Sequence, residues 1–205
     1  MAFDLGSGAP AELGPLSWLL GVWEGTGVVS YVIGEETREH EFGQRIAFTH
    51  DGLPVLNYSS YTWLLDSAAE GETGRTPLHT EIGYWRLSRP LGDGDPGPGM
   101  LAPTAPPVLQ NAEEVEALRG ASGAFEIEVM LVHPGGVSEL YLGAVNGPRI
   151  DLATDAVMRT STAKEYAAAT RLYGLVDSHL LWAWDIAALG QDLRTHASGR
   201  LARAE

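Results

Sequence analysis

Cysteine is absent from the 205 residues, which excludes disulfide bridges, zinc–thiolate sites, iron–sulfur clusters and a thiol nucleophile. Positive charge is scarce, with 13 basic residues against 27 acidic ones and a formal net charge of −14. A surface of that sign repels nucleic acid and anionic membranes, so neither is expected as a partner. No apolar run approaches the length needed to span a bilayer. The opening MAFDLGSGAP lacks the basic and apolar regions of an export signal. Together these gaps predict a cytoplasmic protein. A phosphate loop is missing as well: after Gly21-Val-Trp-Glu-Gly-Thr-Gly27 comes a strand pattern, Val28–Ile33, with no Lys-Ser/Thr pair.

What the chain does have is short strand patterns punctuated by turns. Pro15–Leu20 reads as a short helix, with proline in its first turn and Gly21 as its stop. Strand patterns follow at 21–33, 38–49, 53–66, 77–88, 124–133, 137–146, 149–154, 171–176 and 179–189, joined mainly by turn sequences such as His50-Asp-Gly52 and Pro134-Gly-Gly136. In the third of these, Tyr58, Ser60, Thr62 and Leu64 share one face and Asn57, Ser59, Tyr61 and Trp63 the other. Both faces mix polar and aromatic groups, which suits a wall with a ligand cavity on one side and solvent on the other. Residues 89–123 break the series. They are rich in proline and glycine, then acidic over 111–119 with room for one or two helical turns, and too poor in apolar residues for a core of their own. The expectation is an all-β chain, one domain over 1–205. It is an antiparallel up-and-down β-barrel of about ten strands, with a short N-terminal helix and one long surface insertion at 89–123.

Chemistry gathers at the end of the chain. Leu180–Leu189 is an apolar run with Trp182 and Trp184 on one parity; Gly190 follows, and six residues later comes His196 among small and basic residues. A lone imidazole is more often a surface or satisfied core residue than a ligand. Strand parity groups His196 with Arg194 and Arg200, so a bulge or turn would be needed to aim it inward. Arg194, Arg200 and Arg203 are enough charge to meet one anionic ligand.

Taken in order, five stretches resemble the nitrobindin family, haem-binding β-barrels shaped like fatty-acid-binding proteins. They are Leu20–Gly27 with its Gly21, Trp23, Gly25, Gly27 signature; Pro77–Tyr84 with Val132–Glu139; Ser161–Glu165; and Gly190–His196. The resemblance implies that His196 is the proximal ligand of haem b iron and that Lys164 pairs with a haem propionate. It also implies an isomerase activity, the conversion of peroxynitrite to nitrate, which protects tyrosine from nitration. Neutral imidazole suits the iron position in a chain without cysteine, although the sequence names no acceptor for the ring's other nitrogen. His79 and His133 are expected to hydrogen-bond within the sheet, His40 to lie on the outer face, and His50 and His179 to sit by turns. Two other functions use the same barrel. One is a non-catalytic haem or nitric oxide carrier or sensor; the other is a fatty-acid-type carrier, which would need an arginine deep in the cavity. A homodimer remains open.

Overall fold

The computed structural model describes residues 8–33, 35–65 and 75–204. Residues 1–7, Gly34, 66–74 and Glu205 lie outside them. A 3₁₀ helix, Ala11–Leu19, precedes ten strands: β1 Gly21–Ile33, β2 Glu36–Thr49, β3 Leu56–Leu64, β4 Thr76–Leu87, β5 Phe125–His133, β6 Val137–Asn146, β7 Arg149–Arg159, β8 Tyr166–Val176, β9 His179–Ala188 and β10 Arg194–Arg203. Each pairs antiparallel with its sequence neighbour, and β10 returns to β1 to close the barrel. Closure leaves no sheet edge open to association. The helix begins four residues before the expected Pro15, which sits inside it.

The barrel has a plugged end and an open end. Leu13, Leu16, Trp18 and Leu19 of the 3₁₀ helix are buried against Trp23, Phe48, Trp85 and Leu201. The Trp23 indole donates to the Leu19 carbonyl at 2.7 Å, and the Arg203 guanidinium lies over the Trp23 ring and donates to the Trp18 and Leu20 carbonyls. The 88–124 connection lies at this end. Asn111 caps a short helix, α1 (Ala112–Glu116), through Glu114 N–H. Val115 on that helix is buried in the main core, and Leu109 and Leu118 pack against it. Arg89, at the start of the connection, grips Glu12 of the 3₁₀ helix and Asp95, and all three are buried. The segment that composition marks as a surface insertion is thus pinned to the core at several points.

The signature glycines serve the packing. Gly27 of β1 faces Gly199 of β10 across the ladder. A Cβ on Gly27 would run into the Phe42 ring, and one on Gly199 into the Trp182 indole. The two rings therefore lie flat on backbone, stacked at 6.0 Å. Two ladders are short: β4 and β5 pair only from Ile82↔Val132 to Leu87↔Ile127, and β7 and β8 pair from Arg149↔Gly174 to Ala153↔Thr170, where the pairing stops although both strands run on toward the open end.

Candidate functional site

The inward set on β3 is Leu56, Tyr58, Ser60, Thr62 and Leu64. With the inward residues of β1, β2, β4, β8, β9 and β10 it walls a cavity of about 270 Å³ below the open end. Its apolar lining includes Val29, Phe42, Leu64, Leu78, Trp182 and Trp184, and its polar lining includes Tyr31, His40, Gln44, His79, Glu81, Arg171 and His196.

His196 reaches this cavity through a local irregularity. The β9–β10 register runs Thr195↔Asp185 and then Ala197↔Trp184, so His196 is an extra residue in the ladder. Such a bulge re-aims one side chain, and it cancels the parity that would have sent His196 outward with Arg194 and Arg200. The ring lies edge-on to Trp184 at 5.6 Å and near Tyr31 at 6.4 Å. Burial, with His79 and Arg194 close by, lowers its pKa below the usual histidine value, opposed by a hydrogen bond to the Ser30 backbone. At neutral pH the ring is therefore neutral. A neutral imidazole has one N–H to donate and one nitrogen lone pair to offer, and the Ser30 backbone lies beside this ring.

Beside His196 lies a buried polar network. Arg171 binds Glu81 through two hydrogen bonds of 2.7 Å and also donates to Tyr141 at 3.0 Å and Tyr173 at 3.3 Å. Tyr58 donates to Glu81, and Tyr141 and Tyr166 both donate to Glu139, each at 2.6 Å. His133 joins Glu139 at 2.6 Å and His79 at 3.2 Å. Burial alone would raise the Glu81 and Glu139 pKa values, but Arg171 and the surrounding donors hold both below the usual carboxylate value. Burial pushes Tyr58 up, and the Glu81 charge adds to that. Trp184 covers the network, stacked on His133 at 6.2 Å and 4.3 Å from the Arg171 guanidinium. Its own indole N–H is buried and has no acceptor among the described residues.

The expected roles of His79 and His133 within the sheet match these contacts. His40 does not match: it turns inward, stacks on Tyr31 at 5.9 Å and lines the cavity. Its parity with Phe42 and Gln44 was a readable signal, hidden by the charged residues around it. His50 lies just past β2, and His179 bonds the Asp177 carbonyl across a tight turn. Lys164 is exposed on the 160–165 loop at the open end and does not line the cavity; its carbonyl accepts from Arg159. Arg194 stands at the open end, whereas Arg200 is outside the wall beside His179. Gly21, Trp23, Gly25 and Gly27 shape the wall, and none of the four lines the cavity.

Comparison with known proteins adds relatives to this geometry. Residues 12–203 match the family described as the THAP4-like, heme-binding beta-barrel domain. A protein of Leifsonia xyli subsp. xyli named peroxynitrite isomerase is 68% identical over 196 residues, 96% of each chain. A protein of the same name from Clavibacter michiganensis subsp. michiganensis is 64% identical over 98% of this chain and 99% of its own. Among solved structures, Rv2717c from M. tuberculosis superposes with a TM-score of 0.66 at 28% identity, covering 96% of this chain and 99% of that one.

Proposed function

This chain belongs to the THAP4-like, heme-binding β-barrel family, and from that premise we propose that it is a haem-dependent peroxynitrite isomerase with His196 as the iron ligand. The observation that carries the ligand assignment is the β10 bulge, which delivers to the cavity an imidazole that burial keeps neutral. The surroundings fit haem b: aromatic and aliphatic walls for the macrocycle, with the His196 imidazole among them. The cavity, about 270 Å³, is just under the roughly 300–1,000 Å³ typical of ligand pockets. A planar group larger than that keeps an edge at the barrel mouth, where Lys164 and Arg194 supply positive charge for propionates. Ferric haem, when bound, would supply a Lewis-acidic iron to the anion.

The chain's own part is to hold the reaction dry and charge-matched. Peroxynitrite and nitrate have the same atoms and charge, so the site needs no net proton or electron. His79 and His40 face the cavity as potential donors to an anion, and Arg194 at the mouth locally offsets the −14 surface. The fatty-acid carrier reading weakens here for a specific reason. A deep arginine does exist, Arg171, but its donors are taken by Glu81, Tyr141 and Tyr173. No guanidinium face is left for a fatty-acid carboxylate.

We place the protein in the cytoplasm, where a chain without cysteine loses nothing to reducing conditions; among the described residues no helix is long and apolar enough to cross a membrane. A homodimer is supported by the half-exposed Ile82, Tyr84 and Val132 side by side on the outer wall, with Ile82 and Val132 directly paired. In the deciding experiment, ferric haem-loaded protein is mixed rapidly with peroxynitrite. Decay should accelerate in proportion to haem content, give mainly nitrate and spare added tyrosine from nitration. If the loaded protein acts no faster than the haem-free chain, storage or sensing of haem or nitric oxide replaces the enzyme.

A further inference from the structure

We propose that His79, Glu81 and His133 form a binding site for one divalent transition-metal ion of the zinc type, separate from the His196 position. His79 and Glu81 lie two apart on β4 and so face the same way. The register Ile82↔Val132 sets His133, at the end of β5, beside Glu81. The three atoms that converge are His79 Nε2, His133 Nδ1 and Glu81 Oε2. The nitrogens are 3.2 Å apart, and each is 3.7 Å from the oxygen. A point equidistant from three atoms so spaced lies about 2 Å from each, the length of zinc–imidazole and zinc–carboxylate bonds.

The surroundings are those of a ligand set held in place. His133 points its other nitrogen, Nε2, at Glu139, 2.6 Å away; a carboxylate behind a ligating histidine fixes its tautomer and raises its basicity. Arg171 and Tyr58 hold Glu81 rigid. Glu81 Oε2 has a second lone-pair direction left after accepting from Arg171. Charge favours a cation, because Glu81 and Glu139 outnumber Arg171 by one. His79 is one-third exposed and lines the cavity, so the remaining coordination position opens toward a small ligand.

Proton bookkeeping closes without an outside partner. In the metal-free protein one hydrogen lies between His79 Nε2 and His133 Nδ1. When the cation enters, both nitrogens present lone pairs; His133 keeps its Nε2–H on Glu139, and the hydrogen on His79 moves to Nδ1 on the cavity side. No proton is released overall.

The test uses the full chain, haem-free and stripped with chelator, titrated with Zn²⁺ against a chromophoric competitor and with Co²⁺ by visible absorption. One equivalent should bind, and Co²⁺ should show the intense d–d bands of a low-coordinate site. His196→Ala should bind as the parent does. His79→Ala and His133→Gln should lose at least tenfold in affinity, and Glu139→Gln roughly 10–100-fold. No uptake, uptake undiminished in His79→Ala, or loss in His196→Ala would overturn the proposal. Should His133→Gln fail to fold, His79→Ala still decides, since that side chain is partly exposed.

Discussion

Replacing Arg89 by alanine should destabilise the protein more than any change to an exposed residue. Arg89 donates to Glu12 through Nε and Nη2 at 2.7 Å, to Asp95 through Nη1 and Nη2 at 2.8 Å, and to the Pro90 carbonyl at 3.0 Å. The arginine and both carboxylates are each less than a tenth exposed. Truncation leaves two buried carboxylates without their cation, and breaking a buried pair in that way costs about 3–5 kcal/mol. For a chain of this size each kcal/mol lowers the midpoint by about 2–4 °C, so a fall of roughly 6–20 °C is expected. Thermal unfolding followed by circular dichroism measures it. Arg89→Met, Glu12→Gln and Asp95→Asn combined should recover much of the loss, because the stranded charges go with the cation. A fall of only a degree or two in Arg89→Ala would show that the 3₁₀ helix and the 88–124 connection do not depend on this clamp, and the expectation of a loose surface insertion at 89–123 would stand.

Four further outcomes are expected. Replacing 90–120 by a Gly/Ser linker removes Asp95 and the buried Val115, so the melting temperature should drop by more than a few degrees; an unchanged value would contradict the packing described. The Arg89 hydrogen bonds hold the Asp95 carboxyl below its ordinary value. Its stabilisation is therefore complete at neutral pH and disappears as pH falls below about 4, through the lower folded value. Asp95→Asn should flatten the acid limb of the stability profile, and identical profiles would refute the assignment. Hemin titration of His196→Ala should show a weakened or displaced Soret band with an unchanged far-ultraviolet spectrum; a wild-type spectrum would move the ligand elsewhere. Gly27→Ala puts a methyl into the Phe42 ring and the Ser198 carbonyl and should cost about 1–3 kcal/mol in urea unfolding.

The barrel was legible because its strands announce themselves by turns: Gly21–Ile33 and Val137–Asn146 are found at their expected limits, and five other strands lie within three residues of theirs. Three features were not. The Ala- and Thr-rich stretch 155–170 lacks strand patterning, yet β7 continues to Arg159 and β8 starts at Tyr166. Strand β10 was hidden because its inward residues are Ala197, Gly199 and Leu201, small enough to admit the Trp182 ring. Composition there reads as a tail. The buried network was invisible for another reason: Glu81, Glu139 and Arg171 each look like surface residues until barrel closure brings β4, β6 and β8 around one interior. Only family resemblance could single out His196, since the bulge that aims it leaves no composition signal.

The short β7–β8 ladder has a consequence of its own. Around most of the wall, separating two neighbours means breaking more backbone pairs than here. Beyond Ala153↔Thr170 the gap is spanned through side chains, among them Thr154 on the Ala169 backbone, while Tyr166 reaches past β7 to Glu139 on β6. This is a zipper left partly undone, and local opening concentrates where few backbone bonds must break. Amides of 155–159 and 166–168 should exchange with solvent well before those of β1 and β2. A flat guest too wide for the mouth then has a side on which the rim can yield, and the 160–165 loop, Lys164 included, is the strap across it.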